Sequence, residues 1–408
     1  MEEIGPDVLI FDCETRTFGK PNADKDILKV FGCYSYKTKK SYILTSKEDI
    51  QKIVKAHKFL VGFNIKNYDI PIIKRAGIDV EYKILVDMYE IFKSRAQAMK
   101  IKKGMLGDLL MSYSLDYISK TIGIVTEEDA KIKDFDYAIL NKDHWTQEDL
   151  QIIKKYTLRD IEITKKMYEW VESYFESFKG FIREEDVRKK KYLTCSIASF
   201  AYKAICKAMK WEETYDSGER MDSYGGGFVA FPAGEKFDGD LLMFDYTSLY
   251  PNMFIQGNLF GNNCDCCTHD EKWHGDGFFR VEGYYCKKKL NPLGELLKKF
   301  YMMRKEMKKN KDPKNYSIKI IINTIYGCVS NPTFKRVYNL TAAKDCTSLG
   351  RQIIKYTRKR FKEEGYLNLM SDTDSVVVKV PEGKTKEDAE KLAQDIVNEG
   401  QKHFPFPW

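Results

Sequence analysis

Val8-Leu9-Ile10-Phe11 runs straight into Asp12, and far downstream Leu241-Leu242-Met243-Phe244 runs straight into Asp245. A short apolar run bounded by a polar residue reads as a strand buried on both faces. An ionised acid is costly to bury unpaired, so a carboxylate directly after such a run belongs at the rim of the sheet. The chain is therefore constrained to build two sheets, each with an acid at a strand end. Its 408 residues leave room for two or three domains.

Other elements fall around these two strands. Phe59-Leu60-Val61-Gly62-Phe63 is a further apolar run and ends at Asn64. The pattern turns helical around 103–123, and Thr146 with Asp149 forms a capping box that opens a helix through about residue 175. Residues 181–220 read as helical and basic, until Tyr224-Gly225-Gly226-Gly227 breaks the pattern. Leu293, Leu296, Leu297 and Phe300 stand at helical spacing, and a second helix is expected over 315–329. Leu367–Met370 and Ser375–Val380 read as a β-hairpin with Asp372-Thr373-Asp374 at its tip.

Composition narrows the function classes. A hydrophobic content of 43% excludes wholesale disorder, and no run approaches the ~18 apolar residues of a membrane span. The acidic start, MEEIGP, is unlike a signal peptide, and ten cysteines, scattered apart from one knot at 264–267, do not make a secreted disulfide scaffold. A cytoplasmic or nucleoid-associated protein without a membrane partner is expected. The net charge of +8 hints at a polyanionic ligand.

The first half concentrates acids. Asp12 and Glu14 alternate onto one face of a strand end, Asp69 follows the second strand, and Tyr156 and Asp160 share a helical face at i, i+4. Four carboxylates in this arrangement suit two divalent cations about 3.5–4 Å apart and phosphodiester hydrolysis, with the Tyr156 hydroxyl orienting a water. Asp12-x-Glu14, Asn64-x-x-x-Tyr68-Asp69 and Tyr156-x-x-x-Asp160 resemble the three motifs of the proofreading 3′–5′ exonuclease domain of DNA polymerases. In that resemblance the acids hold metals, Tyr156 aligns the water and Asn64 contacts the single-stranded DNA 3′ end.

The second half resembles family B DNA polymerases. Asp245-x-x-Ser248-Leu249-Tyr250-Pro251, Lys319-x-x-x-Asn323-Thr-Ile-Tyr326-Gly327 and Asp372-Thr-Asp374-Ser375 match its three polymerase motifs in order, with Tyr224-Gly225-Gly226 before them. The resemblance implies that Asp245 and Asp374 ligate two Mg²⁺ (or Mn²⁺) ions and that Asp372 supports them. It implies that Lys319 and Arg304 neutralise the phosphates of a dNTP and that Tyr250 lies under the sugar. Ser248, Leu249, Asn323 and Tyr326 complete the nucleotide site, and Tyr224, Gly225 and Gly226 touch primer-template DNA. Departures occur at Met370-Ser371, Thr324 and Asn252, and none removes a metal ligand. The stretch 287–319 carries twelve Lys/Arg against three Asp/Glu beside these residues, which suits phosphate contact, and the basic stretches 351–362 and 183–191 are further candidates for contact with the duplex backbone.

The expected architecture is α/β and α+β multidomain, an RNase H-like exonuclease domain followed by a polymerase palm with short helical fingers. Its boundaries are 1–178 for the exonuclease, 179–235 for a helical connector with the YGG-type linker, 236–290 for the first part of the palm, 291–329 for the fingers and 330–408 for the second part of the palm. Cys264, Cys266, Cys267, His269, His274 and Cys286 cluster within 262–286, and such a density of thiols and imidazoles suits a structural Zn²⁺. Nothing after Ser375 matches the family's primer-binding motif or thumb, so a second polypeptide supplying the thumb is expected. The rival reading is a 3′–5′ exonuclease with a vestigial or partner-dependent polymerase half, and the retained Asp245, Lys319 and Asp374 speak against it.

Overall fold

All of β1 (Val8–Arg16) except Asp12 and Arg16 is buried. It is the central strand of a five-stranded sheet in the computed structural model, which describes residues 4–95, 112–126, 135–216, 224–231 and 236–408. Strands β2 (Ile27–Ser35) and β3 (Lys40–Leu44) extend the sheet antiparallel on one side. Strands β4 (Phe59–Gly62) and β5 (Ile84–Asp87) extend it parallel on the other. Parallel neighbours need crossovers, and α1 (Lys47–Lys55) and α2 (Asp69–Arg75) supply them.

Alternation along β1 then sorts its side chains. Leu9, Phe11 and Cys13 join Ile50, Val54, Ile70 and Ile73 in the core beneath α1 and α2. Asp12 and Glu14 face the opposite side, which α5 (Gln147–Phe175) covers through Ile153 against Val30. Thr146 and Asp149 close the capping box of α5, as the sequence predicts. Helices α3 (Met88–Arg95), α4 (Leu115–Thr121), α6 (Glu184–Arg188) and α7 (Lys191–Thr194) complete a compact unit, Met1–Ser196. Of the helical stretches expected from sequence, 103–111 and 217–220 lie outside the described residues.

The second unit, Ile197–Trp408, opens with α8 (Ile197–Met209). Its four-stranded sheet has the order β6-β10-β11-β7, formed by β6 (Val229–Ala230), β7 (Leu241–Asp245), β10 (Leu367–Asp372) and β11 (Ser375–Lys379). All neighbours are antiparallel, and β10–β11 is the expected hairpin. One face packs on α12 (Leu340–Glu363), where Phe244 stacks on Phe361 at 5.2 Å and the Tyr246 hydroxyl meets that of Thr357 at 2.6 Å. The other leaves Leu241, Met243 and Leu367 exposed.

Between β7 and α12 come α9 (Leu249–Gln256), the hairpin of β8 (Trp273–Gly275) and β9 (Arg280–Tyr285), and the packed helices α10 (Pro292–Lys309) and α11 (Asn315–Ser330). Leu293, Leu296, Leu297 and Phe300 are the buried stripe of α10. The last helix, α13 (Lys386–Gln401), is tied to α12 by the Arg360–Glu399 ion pair. Beyond it Phe404 stacks on Phe279 at 5.2 Å, and Trp408 meets Tyr301 of α10 at 4.8 Å. Among the described residues, no helix is long and apolar enough to cross a membrane.

Candidate functional site

Each unit gathers one set of acids. In the first, Asp12 lies at the middle of β1 and Glu14 two residues on, because the strand runs past Asp12 to Arg16 and does not close there as the sequence suggests; Asp69 comes from the first turn of α2 and Asp160 from the middle of α5. Asp69 is fixed by the Cys13 N–H, which donates to its Oδ1 at 3.0 Å. Glu14 accepts from the Thr157 hydroxyl at 3.1 Å, and Asp160 accepts from Arg159 at 3.0 Å. Burial, and then the charges of Asp69, Glu14 and Asp160, hold Asp12 well above the usual carboxylate range. Burial and Asp160 push Glu14 up to about 7. Burial also raises Asp69 to about 7, against the lowering pull of its Cys13 hydrogen bond. Asp160 rises to about 6 through burial, although the Arg159 guanidinium opposes it.

Tyr156 lies one helical turn before Asp160, stacked on Phe135 at 4.1 Å, with its hydroxyl 2.7 Å from that of Tyr137. Asn64 has a positive φ of 58° just after β4. Its N–H donates to Asp87 at 2.8 Å, and its side-chain oxygen accepts from Asn67 at 2.9 Å. That turn is thereby anchored on its own neighbours.

In the second unit, antiparallel pairing sets Asp245 opposite Ser375, so the end of β7 meets the hairpin tip. The Tyr246 N–H donates to the Asp374 carbonyl at 2.8 Å, and the Thr373 N–H to the Phe228 carbonyl at 2.9 Å. Gly227 passes so close that a Cβ there would stand 2.7 Å from the Thr373 hydroxyl, which only glycine avoids. Burial, and then the Asp245 and Asp372 charges, raise the Asp374 carboxyl, while Lys319 lowers it.

A cavity of about 490 Å³ opens above these acids. Asp245, Ser248, Leu249, Tyr250 and Asp374 line one side, and Arg304, Lys308, Lys319 and Asn323 of α10 and α11 line the other. Ser248 is held at a φ of 54°, and its hydroxyl accepts from Arg304 at 3.3 Å. The Tyr250 ring packs on Tyr326 at 4.9 Å, and the Tyr326 hydroxyl lies 2.9 Å from that of Tyr224. Asp372 and Tyr326 stand outside the cavity lining. Asp372 is exposed beside it and accepts from the Thr373 hydroxyl at 3.0 Å. Arg351 of α12 clasps the Gly225 and Gly226 carbonyls at 2.6 and 2.7 Å.

The cysteine-rich segment separates into two groups. Cys264, Cys266, Cys267 and Cys286 bring their sulfurs within 4.8 Å of one another. His269 and His274 are not in that group; their rings lie on Tyr284, at 4.0 and 4.8 Å.

Sequence reasoning did not single out Thr157, Arg159 or Tyr137, and it reached Lys308 and Arg351 only as members of the basic stretches 287–319 and 351–362. A signal existed for Lys308, four residues after Arg304 on one helical face. Tyr137 and Arg351 reach their partners only through tertiary packing.

Known proteins share both halves. DNA polymerase family B, as a family profile, matches residues 185–407, and the RNase_H superfamily matches residues 9–172. DNA polymerase 1 of Pyrococcus abyssi is 29% identical over 187 residues, covering 43% of this chain and 24% of that protein. The DNA polymerase delta catalytic subunit of Plasmodium falciparum (isolate K1 / Thailand) is 24% identical over 418 residues, covering 86% of this chain and 37% of its own length. The structure of the family B DNA polymerase from Pyrobaculum calidifontis superposes with a TM-score of 0.59 at 16% identity. That match covers 96% of this chain and 55% of the other, a likeness of fold. The matched regions thus span well under two thirds of these relatives.

Proposed function

We propose that this chain, which belongs to DNA polymerase family B, extends a DNA primer on a template at its second-unit site and trims the 3′ end at its first. The observation that carries the reading is the cavity in which Asp245 and Asp374 face Arg304, Lys308 and Lys319. An anion bearing several phosphates, with cations between it and the acids, matches that distribution of charge.

The donor sets fit hard divalent cations. Both consist of carboxylate oxygens, the donors that Mg²⁺ and Mn²⁺ take, and both contain acids raised by burial and mutual repulsion that a cation would relieve. Asp12, Glu14, Asp69 and Asp160 would hold the ions of the first site, and Asp245 and Asp374 those of the second, with Asp372 in support. When bound, such ions neutralise charge on the reacting phosphate and lower the pKa of an attacking oxygen.

The side chains do the rest. Lys319, Lys308 and Arg304 draw in and orient the triphosphate of a dNTP as charge develops on it. Tyr250, braced by Tyr326, fills the space where a 2′-hydroxyl would sit, and Ser248, Leu249 and Asn323 shape the pocket around the nucleotide. Tyr224, Gly225 and Gly226, held by Arg351, track the template strand. At the first site the Tyr156 hydroxyl orients a water, and Asn64 meets the single-stranded 3′ end, so a mismatched terminus is removed before extension resumes. Primer extension on a primed template with dNTPs and Mg²⁺, with and without a terminal mismatch, tests this. The expected result is extension of both primers, the mismatched one after a lag. No nucleotide addition to the matched primer would refute the synthetic assignment, and retention of the mismatch would refute the proofreading one.

A further inference from the structure

The segment between α9 and α10 contains chemistry that neither site uses. Cys264, Cys266 and Cys267 lie on one loop and Cys286 follows β9, yet all four sulfurs converge. Cys266 and Cys286 are 3.4 Å apart, Cys267 and Cys286 3.5 Å, and Cys266 and Cys267 3.9 Å. A tetrahedron of thiolates about 2.3 Å from a central ion has edges of about 3.8 Å. The observed spacings bracket that edge. An iron–sulfur cluster distributes four thiolates over two or four irons and spreads the sulfurs further apart. A disulfide would join them in pairs, whereas all four cysteines here are free. We propose that Cys264, Cys266, Cys267 and Cys286 form a four-thiolate zinc centre, with His269 and His274 outside it.

The surroundings support an ion of this kind. The Lys289 N–H donates to the Cys286 sulfur at 3.3 Å, an outer contact that settles a ligating thiolate. Lys288, paired with Glu271 at 2.8 Å, also lies within electrostatic reach of Cys266 and Cys267 and offsets part of the negative charge that four thiolates leave around one Zn²⁺. Binding breaks four S–H bonds, forms four Zn–S bonds and releases the protons to solvent. Zinc and thiolate keep their oxidation states.

The centre sits where it can fix the start of α10. The Cys286 N–H donates to the Gly261 carbonyl at 3.0 Å. Asn258 donates to the carbonyls of Cys286 at 2.7 Å and Lys289 at 3.0 Å. The same Asn258 accepts the Asn291 N–H at 2.9 Å, and Asn291 caps α10 by accepting from Gly294 at 3.0 Å. The zinc therefore clamps the chain just ahead of the helix that presents Arg304 and Lys308 to the cavity.

The test uses the full chain and four readouts. Elemental analysis should find about one zinc per chain, and replacement by Co²⁺ should give the absorption of a tetrahedral four-thiolate site. Cys264→Ser and Cys267→Ser should lose the metal, while His269→Ala and His274→Ala retain it. Chelation should speed hydrogen exchange in the first turns of α10 and expose Cys266 to alkylation. Bound iron with cluster absorbance, a disulfide among these cysteines, or metal lost on removing either histidine would overturn the proposal. A Co²⁺ spectrum showing nitrogen ligands would do so as well, even if the serine variants failed to fold.

Discussion

Asp12, Glu14, Asp69 and Asp160 are each raised by burial first, and then by neighbouring acids: Asp12 and Glu14 by other members of the set, Asp69 by Asp87 and Asp160 by Asp116, so the fold favours their protonated forms. At these four positions the folded chain then binds more protons than the unfolded one, and their contribution to stability is fullest below the ordinary carboxylate range and is lost as pH climbs to about 7. In EDTA the melting temperature of the first unit should drop by several degrees from about pH 5 to about pH 8. Asp69→Asn should flatten that slope, and Mn²⁺ should restore the loss; a melting temperature that rises over the range would contradict the sign. Tyr250 makes a second case at this scale. Tyr250→Ala should reduce discrimination against ribonucleotides by about tenfold or more with little change in dNTP turnover, because it removes a clash specific to the 2′-hydroxyl. Matched dNTP and rNTP kinetics decide it, and an unchanged ratio would leave Tyr250 as packing alone. Asp245 was legible because it closes a strand, Asp160 because it stands at helical spacing from Tyr156, and Asp12 and Glu14 because they alternate onto one strand face, although β1 runs on past both. Thr157 and Tyr137 were not, because their partners, Glu14 and Tyr156, meet them only across packed elements.

Among the elements, α5 was the most legible, since its capping box is local chemistry: Thr146 accepts from the Asp149 N–H at 3.1 Å and Asp149 from the Thr146 N–H at 3.0 Å. Thr146→Ala should cost about 1 kcal/mol, lowering the transition of the first unit by a few degrees. Differential scanning calorimetry would show it, with the transition of the second unit unmoved. The β10–β11 hairpin and the buried stripe of α10 were legible for the same reason of short-range periodicity. Strand β6 was not. Its two residues pair with Ser371 and Asp372, and nothing in Val229-Ala230 alone announces a strand. Strands β2 and β3 lack a closing carboxylate and are partly exposed, so their pattern does not stand out from surface sequence. The histidines misled for a related reason. Their spacing suited a ligand set, but their rings pack on Tyr284 while the thiols gather elsewhere.

At the scale of the molecule, the two compact units contain disjoint sets of acids. Asp12→Ala with Glu14→Ala should abolish 3′–5′ degradation of single-stranded DNA and spare extension, whereas Asp245→Ala or Asp374→Ala should do the reverse by several orders of magnitude. Loss of both activities from either change, with the fold intact, would refute independent sites. The order of the two halves was readable from the motifs, since each motif sits on one element. The meeting of α10, α11 and the four-stranded sheet at one cavity was readable only through the family resemblance, because it depends on packing that no single stretch encodes. The pairing of β7 with β11 constrains inheritance as well as chemistry. Side chains alternate with a period of two along a strand, so one added residue within 376–379 or 241–244 shifts the register and turns the remaining side chains to the wrong face. A library of single-codon insertions selected for primer extension should be empty there yet populated in the turn at 381–385, and survivors within the strands would contradict the register. Substitutions can drift through these segments over many generations; changes of length cannot.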